Sequence, residues 1–147
     1  MLYIGSDHGG FPLKEELKKA FTERGIVFTD LGPDTLSPYD DYPKFSAAVA
    51  GKVAENLAEH KGILLCRSGQ GVCIAANKIK GIRAATAWNP ETAEASRRDD
   101  DANILCLPSD YISTEEALAI VDAWLKTEFA HVERHARRIA EIEELEK

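Results

Sequence analysis

The run Gly62-Ile63-Leu64-Leu65-Cys66 is apolar at every position. A strand that alternates apolar and polar residues can keep one face in water. One that is apolar throughout must be covered on both faces, as an inner strand of a parallel sheet is. The rest of the chain agrees with that demand. Leu2-Tyr3-Ile4, Ile26-Val27-Phe28, Ile82 to Trp88 and Ile104-Leu105-Cys106-Leu107 are four further strand-like runs. Helical periodicities lie between them. Leu13, Leu17 and Phe21 follow Pro12 and stop at Gly25, while Phe45, Val49, Val53 and Leu57 follow Pro43. Val72 to Asn77 forms a short small-residue helix, and Pro90 to Arg98 another. Ser113-Thr114-Glu115-Glu116 has the form of a capping box opening a helix toward Leu125. A last helix from Val132 sets Ile139, Ile142 and Leu145 on one stripe.

Strand and helix thus alternate five times, through connections too long for hairpins, which predicts a doubly wound parallel α/β sheet. With 147 residues the chain reads as one domain, residues 1–147, able to bury a core without staples. Ligands of such sheets sit beyond the carboxyl ends of the strands, near the point where strand order reverses. The polar, glycine-rich segments after the first and third strands are therefore where chemistry is expected.

Charge narrows the partners. Eighteen Lys and Arg against 25 Asp and Glu leave a net charge of −7, which argues against nucleic acid or an anionic membrane. No apolar run approaches the ~20 residues of a membrane span, and the first residues lack the pattern of a secretory signal. The cysteines Cys66, Cys73 and Cys106 are odd in number and lie in apolar surroundings, the usage of a reduced, cytoplasmic chain. They make no Cys-x-x-Cys pair, and His8, His60, His131 and His135 show no zinc-site spacing with them, so no metal is expected.

The loop Cys66-Arg67-Ser68-Gly69-Gln70-Gly71 carries the most chemistry. Its glycines let backbone N–H groups turn toward a ligand oxygen, and the start of the following helix favours an oxyanion or enediolate charge. Helix ends and nearby cations favour thiolate over thiol, which fits Cys66 as general base or nucleophile. A buried cysteine closing an apolar strand is the other reading. Asp7-His8, after the first strand, suits hydroxyl binding by the carboxylate and phosphate binding by the imidazole, or else a simple Asx turn. Arg134 and Arg138 stand at i, i+4, a spacing that can grip a phosphate or carboxylate; a solvated basic face pairing with Glu133 and Glu141 competes with that reading. Asp99-Asp100-Asp101 reads as a solvated turn at a helix end. Dinucleotide fingerprints, P-loops and nucleophile elbows are missing.

Together these residues resemble the ribose-5-phosphate isomerase B family, which includes the galactose-6-phosphate isomerase subunits. The resemblance spans essentially the whole chain. It is carried by Gly5-Ser6-Asp7-His8 with Phe11 and Lys14, Asp41-Tyr42-Pro43, the strand ending at Cys66, Ser68-Gly69-x-Gly71, Ile74-Ala75-Ala76-Asn77-Lys78, Gly81-Ile82-Arg83-Ala84, and Arg134-His135 with Arg138. It implies a Rossmann-like three-layer α/β/α fold whose C-terminal helix serves dimer contacts. It also implies a homodimer or tetramer with active sites shared between subunits, and cofactor-free aldose–ketose interconversion of a small sugar phosphate.

By the same resemblance Cys66 is the base that moves a proton between C1 and C2 through a cis-enediol. Ser68 and the Gly69-Gln70-Gly71 backbone stabilise the enediolate. Asp7 and His8 bind hydroxyl and phosphate, Tyr42 lines the site, and Arg134 and Arg138 hold the phosphate. Four residues depart from the pattern. Asp99-Asp100 stand where the family usually has His-Asn, whose His opens the furanose ring; Asp110 stands where a phosphate-binding arginine is usual; Arg67 replaces a glycine. Three readings follow. In the first, a pentose phosphate is kept as substrate, with Asp99 as an acid of raised pKa, Asp100 beside it and Arg67 as the replacement phosphate ligand. In the second, the substrate is an open-chain or shorter sugar phosphate, such as a tetrose, that needs no ring opening. In the third, the chain is a non-catalytic binding relative or one subunit of a heteromeric isomerase.

Overall fold

A computed structural model describes residues 1–147. Five parallel strands, β1 (Leu2–Ser6), β2 (Phe28–Asp30), β3 (Lys61–Cys66), β4 (Ala84–Thr86) and β5 (Ile104–Pro108), form one sheet in the order β2-β1-β3-β5-β4. The helices are α1 (Phe11–Glu23), α2 (Tyr42–Ala54), α3 (Gln70–Ala76), α4 (Pro90–Asp100), α5 (Thr114–Lys126) and α6 (Glu133–Glu144). One face packs Leu13, Leu17 and Phe21 of α1, Ala93 of α4 and Ala117, Ile120, Val121 and Trp124 of α5 against Ile4, Ile63, Leu65, Leu105 and Leu107. The other packs Val49, Ala50 and Val53 of α2 and Val72 and Ala76 of α3 against Leu64, Cys66, Ile104 and Cys106. The three-layer arrangement is the expected one, and β3 lies at its centre, buried on both faces.

The sequence boundaries shift where local hydrogen bonds intervene. Strand β2 begins at Phe28 rather than Ile26, because the Ile26 amide bonds back to the Phe21 carbonyl at 2.9 Å and spends residues 25–27 on closing α1. Strand β4 is three residues long instead of seven. Ile82 belongs to a turn on Ile79, and the Trp88 amide bonds to Thr92 Oγ1 at the start of α4. Helix α2 ends at Ala54, so Leu57 leaves its stripe and lies over Gly81, where a Cβ would meet Leu57 Cδ1 at 2.7 Å. Helix α3 starts earlier than expected, at Gln70, and α4 runs on to Asp100 before Asp101 caps it in the left-handed region, φ 47°.

Helices α1 and α3 leave the carboxyl ends of adjacent strands β1 and β3 toward opposite faces. That divergence opens the crevice in which doubly wound sheets place their ligands. Helix α6 crosses the opposite, amino edge: Glu146 accepts the Gly81 amide at 3.0 Å, and Glu143 lies 3.6 Å from Arg83. Only His135 of α6 is buried; Ile142 and Leu145 of its apolar stripe are exposed.

Candidate active site

The crevice between β1 and β3 gathers the two loops singled out by sequence. Asp7 is buried, and its carboxylate accepts the Gly10 amide at 3.0 Å. Gly10 packs so closely on β3 that a Cβ there would lie 2.5 Å from the Leu65 carbonyl. The loop is therefore drawn onto the central strand. His8 is set by a single acceptor: Asp40 Oδ1 takes its backbone N–H and lies against its Nδ1, both at 2.8 Å. With Nδ1 occupied, Nε2 is the nitrogen left for a ligand.

Cys66 ends β3 on the α2/α3 face and is 5% exposed. It lies outside the lining of the two cavities that flank the loop, but the next two residues line one each. Arg67 enters a cavity of about 470 Å³ with His8, Gly9, Ser109 and Asp110. Ser68 and Gln70 enter another, of about 580 Å³, with Thr86, Trp88 and Tyr111. Gly69 turns the chain between strand and helix at φ +73°, a conformation that favours glycine, with its carbonyl accepting from Thr86 Oγ1 at 3.0 Å. Ser68 Oγ accepts the Gln70 amide at 3.3 Å. Tyr42, the first residue of α2, lays its ring over Gly71; a Cβ on Gly71 would meet Tyr42 Cζ at 2.7 Å. Asp7, His8, Tyr42, Cys66, Arg67, Ser68, Gly69, Gln70 and Gly71 thus share the carboxyl edge of the sheet.

The remaining predicted residues lie at the other end. Helix α4 starts beyond the carboxyl end of β4 and returns to the start of β5, leaving Asp99 and Asp100 at the amino edge. Cys66 pairs with Pro108, four residues up β5 from Ile104, so strand rise alone separates the two edges by roughly 13 Å. Arg134 and Arg138, on α6, share that amino edge. Both are exposed and neither forms an ion pair; it is Arg137 that takes Glu133, at 2.9 Å. One chain therefore does not bring Asp99, Asp100, Arg134 and Arg138 to Cys66.

Asp99 has a different character from the expected acid. Arg98 grips it with two hydrogen bonds, at 2.9 and 3.0 Å, and holds its carboxyl below the usual carboxylate range, with His135 and Arg134 adding to the effect. It is ionised at neutral pH and has no proton to give. The expectation of a raised pKa fails because the sequence places Arg98 beside it and the fold adds α6.

Sequence reasoning also passed over Cys73. On α3, its Sγ lies 3.2 Å from the Ala84 carbonyl, and hydrogen bonds from Cys106, then Thr86 and Asn77, outweigh burial and lower it to about 6. Burial pushes the neighbouring Cys106 thiol up. Nothing in the spacing of Cys73 from Cys66 announces this contact, which depends on α3 folding back over β4 and β5. No three His, Cys, Asp or Glu side chains converge as metal ligands would.

A parallel α/β sheet with a cysteine at the tip of its central strand, an imidazole and a guanidinium in the adjoining crevice, and a glycine turn into a helix has the make-up of a small-metabolite site at a switch point. Residues 2–142 match the Ribose/Galactose Isomerase family, and the chain belongs to it. Over 146 residues it is 42% identical to the probable ribose-5-phosphate isomerase B of Mycoplasma genitalium, covering 99% of this chain and 95% of that one. The crystal structure of that organism's ribose-5-phosphate isomerase B with bound ribulose-5-phosphate superposes with a TM-score of 0.94, at the same 42% identity and coverage of 99% and 95%. The Clostridium thermocellum ribose-5-phosphate isomerase B gives 0.93 at 43% identity, covering 99% of this chain and 96% of that one. The Escherichia coli ribose-5-phosphate isomerase B is 40% identical over 144 residues, 98% of this chain and 95% of that one. The chain is an isomerase, and no helix of it is long and apolar enough to cross a membrane.

Proposed function

We propose that the chain interconverts the aldose and ketose forms of a small sugar phosphate, ribose 5-phosphate and ribulose 5-phosphate first among them, with Cys66 as the base. The observation that carries this reading is the position of Cys66, at the carboxyl tip of the central strand beside the amide-rich turn into α3. The thiolate takes the proton from C2 of the aldose and the carbonyl oxygen becomes an enediolate. Ser68 and the amides of Gly69 to Gly71 hold that charge. The proton returns at C1, while a hydroxyl proton passes from O2 to O1, so the reaction consumes nothing. Asp7 binds hydroxyls, Tyr42 covers the chain, and His8 with Arg67 receives the phosphate. The bound ribulose-5-phosphate in the Mycoplasma genitalium relative supports the substrate class. A reduced, cytoplasmic setting fits the three unpaired thiols.

The ionised Asp99 favours a second reading within the same chemistry: a tetrose phosphate, which forms no furanose 5-phosphate ring, needs no ring-opening acid. A panel of four-, five- and six-carbon sugar phosphates followed by proton NMR in D2O tests both. Turnover of the pentose supports the first reading, turnover of the tetrose alone supports the second, and exchange with none of them overturns both.

The free guanidinium groups of Arg134 and Arg138, far from Cys66 in one chain, support a homodimer in which each site borrows them, with Asp99 and Asp100, from the partner. Two inactive variants then repair one another. Equal mixing of Cys66→Ala with Arg138→Ala after unfolding and refolding is expected to recover roughly a quarter of the native activity, since half the dimers are mixed and each holds one intact site of two. No recovery would place all catalytic groups in one subunit.

A further inference from the structure

The 470 Å³ cavity beside His8 holds one cation and one anion that face each other. The Arg67 guanidinium lies 3.6 Å from Asp110 Oδ2, with both side chains substantially exposed. Neither partner is otherwise engaged: no hydrogen bond ties the Asp110 carboxylate or the Arg67 guanidinium. Their backbones, by contrast, are fixed. The Asp110 amide bonds to the Arg67 carbonyl and the Ser109 amide to the Cys66 carbonyl, both at 2.9 Å, so the loops after β3 and β5 are tied to each other. The Arg67 stem is seated as well. It rests on Gly9, where a Cβ would fall 2.4 Å from Arg67 Cγ, and His8 lines the same cavity. Ser109 Oγ, buried at the same cavity, has no hydrogen-bond partner.

We infer that Asp110 is a built-in competitor for the anionic end of the substrate: its carboxylate occupies the Arg67 guanidinium in the free enzyme and is displaced when a phosphate arrives. This rests on the reading of the cavity as the phosphate subsite. An exposed pair this loose contributes little to stability, so the carboxylate swings out at small cost, by side-chain rotation alone. Its displacement nevertheless offsets part of what the phosphate gains, because the guanidinium gives up one anion to take another. The result is a subsite that recognises phosphate through Arg67 and His8 yet does not hold it tightly, which favours release of a product carrying the same phosphate as the substrate. Asp110 is then a positioning and affinity-setting residue rather than a catalytic one.

The test uses the intact enzyme, with its sugar phosphate as substrate and inorganic phosphate as competitive inhibitor. Asp110→Asn is expected to lower both KM and the phosphate inhibition constant by about three- to tenfold, with kcat unchanged or reduced. Asp110→Glu, which keeps the charge, stays within about twofold of the native KM. Arg67→Gln raises the phosphate inhibition constant, and in that background Asp110→Asn loses its effect. If Arg67→Gln weakens phosphate but Asp110→Asn changes neither constant, or acts equally with and without Arg67, the competitor role is overturned and the subsite stands. If Arg67→Gln leaves phosphate inhibition untouched, the subsite reading falls and the inference with it.

Discussion

Replacing Cys66 by alanine is expected to leave a folded protein that still binds sugar phosphate but no longer exchanges the substrate's C2 proton with solvent. A positioned general base contributes typically 10²–10⁴-fold, so kcat should fall by about three orders of magnitude. The structural cost is small. The sulfur is one atom at the end of a strand whose backbone bonds are made to β1 and β5, and its loss should cost about 1 kcal/mol. The same experiment separates Cys66 from Cys73, the thiol with the lowered pKa of about 6. Cys73 is the thiol favoured toward thiolate, but its sulfur faces the Ala84 carbonyl in the seam between α3 and β4. The place of Cys66 at the carboxyl tip of β3, beside the turn into α3, is what favours it as the base, and Cys73→Ala should retain exchange. Deuterium incorporation followed by NMR in D2O reads both variants. Native-rate exchange by Cys66→Ala would move the base elsewhere, with Cys73 next in line.

What could be read from the residues followed the range of the forces involved. The central strand was legible because burial on both faces leaves an uninterrupted apolar run, and the helices because Leu13, Leu17 and Phe21 or Phe45, Val49 and Val53 repeat at helical spacing. Two strands in order reveal where a doubly wound sheet binds, so Asp7-His8 and the loop after Cys66 could be singled out together. The exchange of β4 and β5 in the sheet was not legible, since it depends on pairing Ala84 with Ile104 across twenty residues of sequence. Nor was the separation of Asp99 and Arg134 from Cys66. Periodicity says which face of a helix is apolar, not which end of the sheet the helix reaches. Strand ends slipped wherever a cap took the amide that a ladder would have used, as at Ile26 and Trp88. Lys14 marks the clearest gap: a lysine within an amphipathic helix reads as solvated, and nothing local shows that its head enters the protein.

Lys14 is fully buried, and its Nζ donates to both oxygens of Asp30 at 2.8 Å and to the Pro33 carbonyl at 2.7 Å. Lys14→Met removes those donors and leaves a carboxylate facing an apolar side chain. Breaking a buried pair from one side costs about 3–5 kcal/mol. Lys18, 2.6 Å from Asp30, retains part of the neutralisation, so the lower end of that range, about 3 kcal/mol, is expected. For a chain of this size the melting temperature should fall by about 6–12 °C. The pH dependence follows from Asp30. Burial pushes its carboxyl up, but the hydrogen bonds from Lys14 and Lys18 outweigh burial and hold it below the usual range. Its contribution is therefore present above the unfolded carboxylate's pKa and is lost as pH falls through the lower folded value. In Lys14→Met that folded value rises, so acid unfolding should begin at higher pH than in the native chain. Denaturant titrations at pH 7 and pH 4 measure both effects, and Lys14→Met with Asp30→Leu should recover most of the loss at pH 7 by removing the stranded charge. Retention of native stability by Lys14→Met alone would show that Lys18 suffices. The consequence reaches the site, because the bond to Pro33 pins the start of the loop that carries Asp40, and Asp40 aims His8. A variant that unfolds early should thus also bind phosphate more weakly while still folded, raising KM before it lowers kcat.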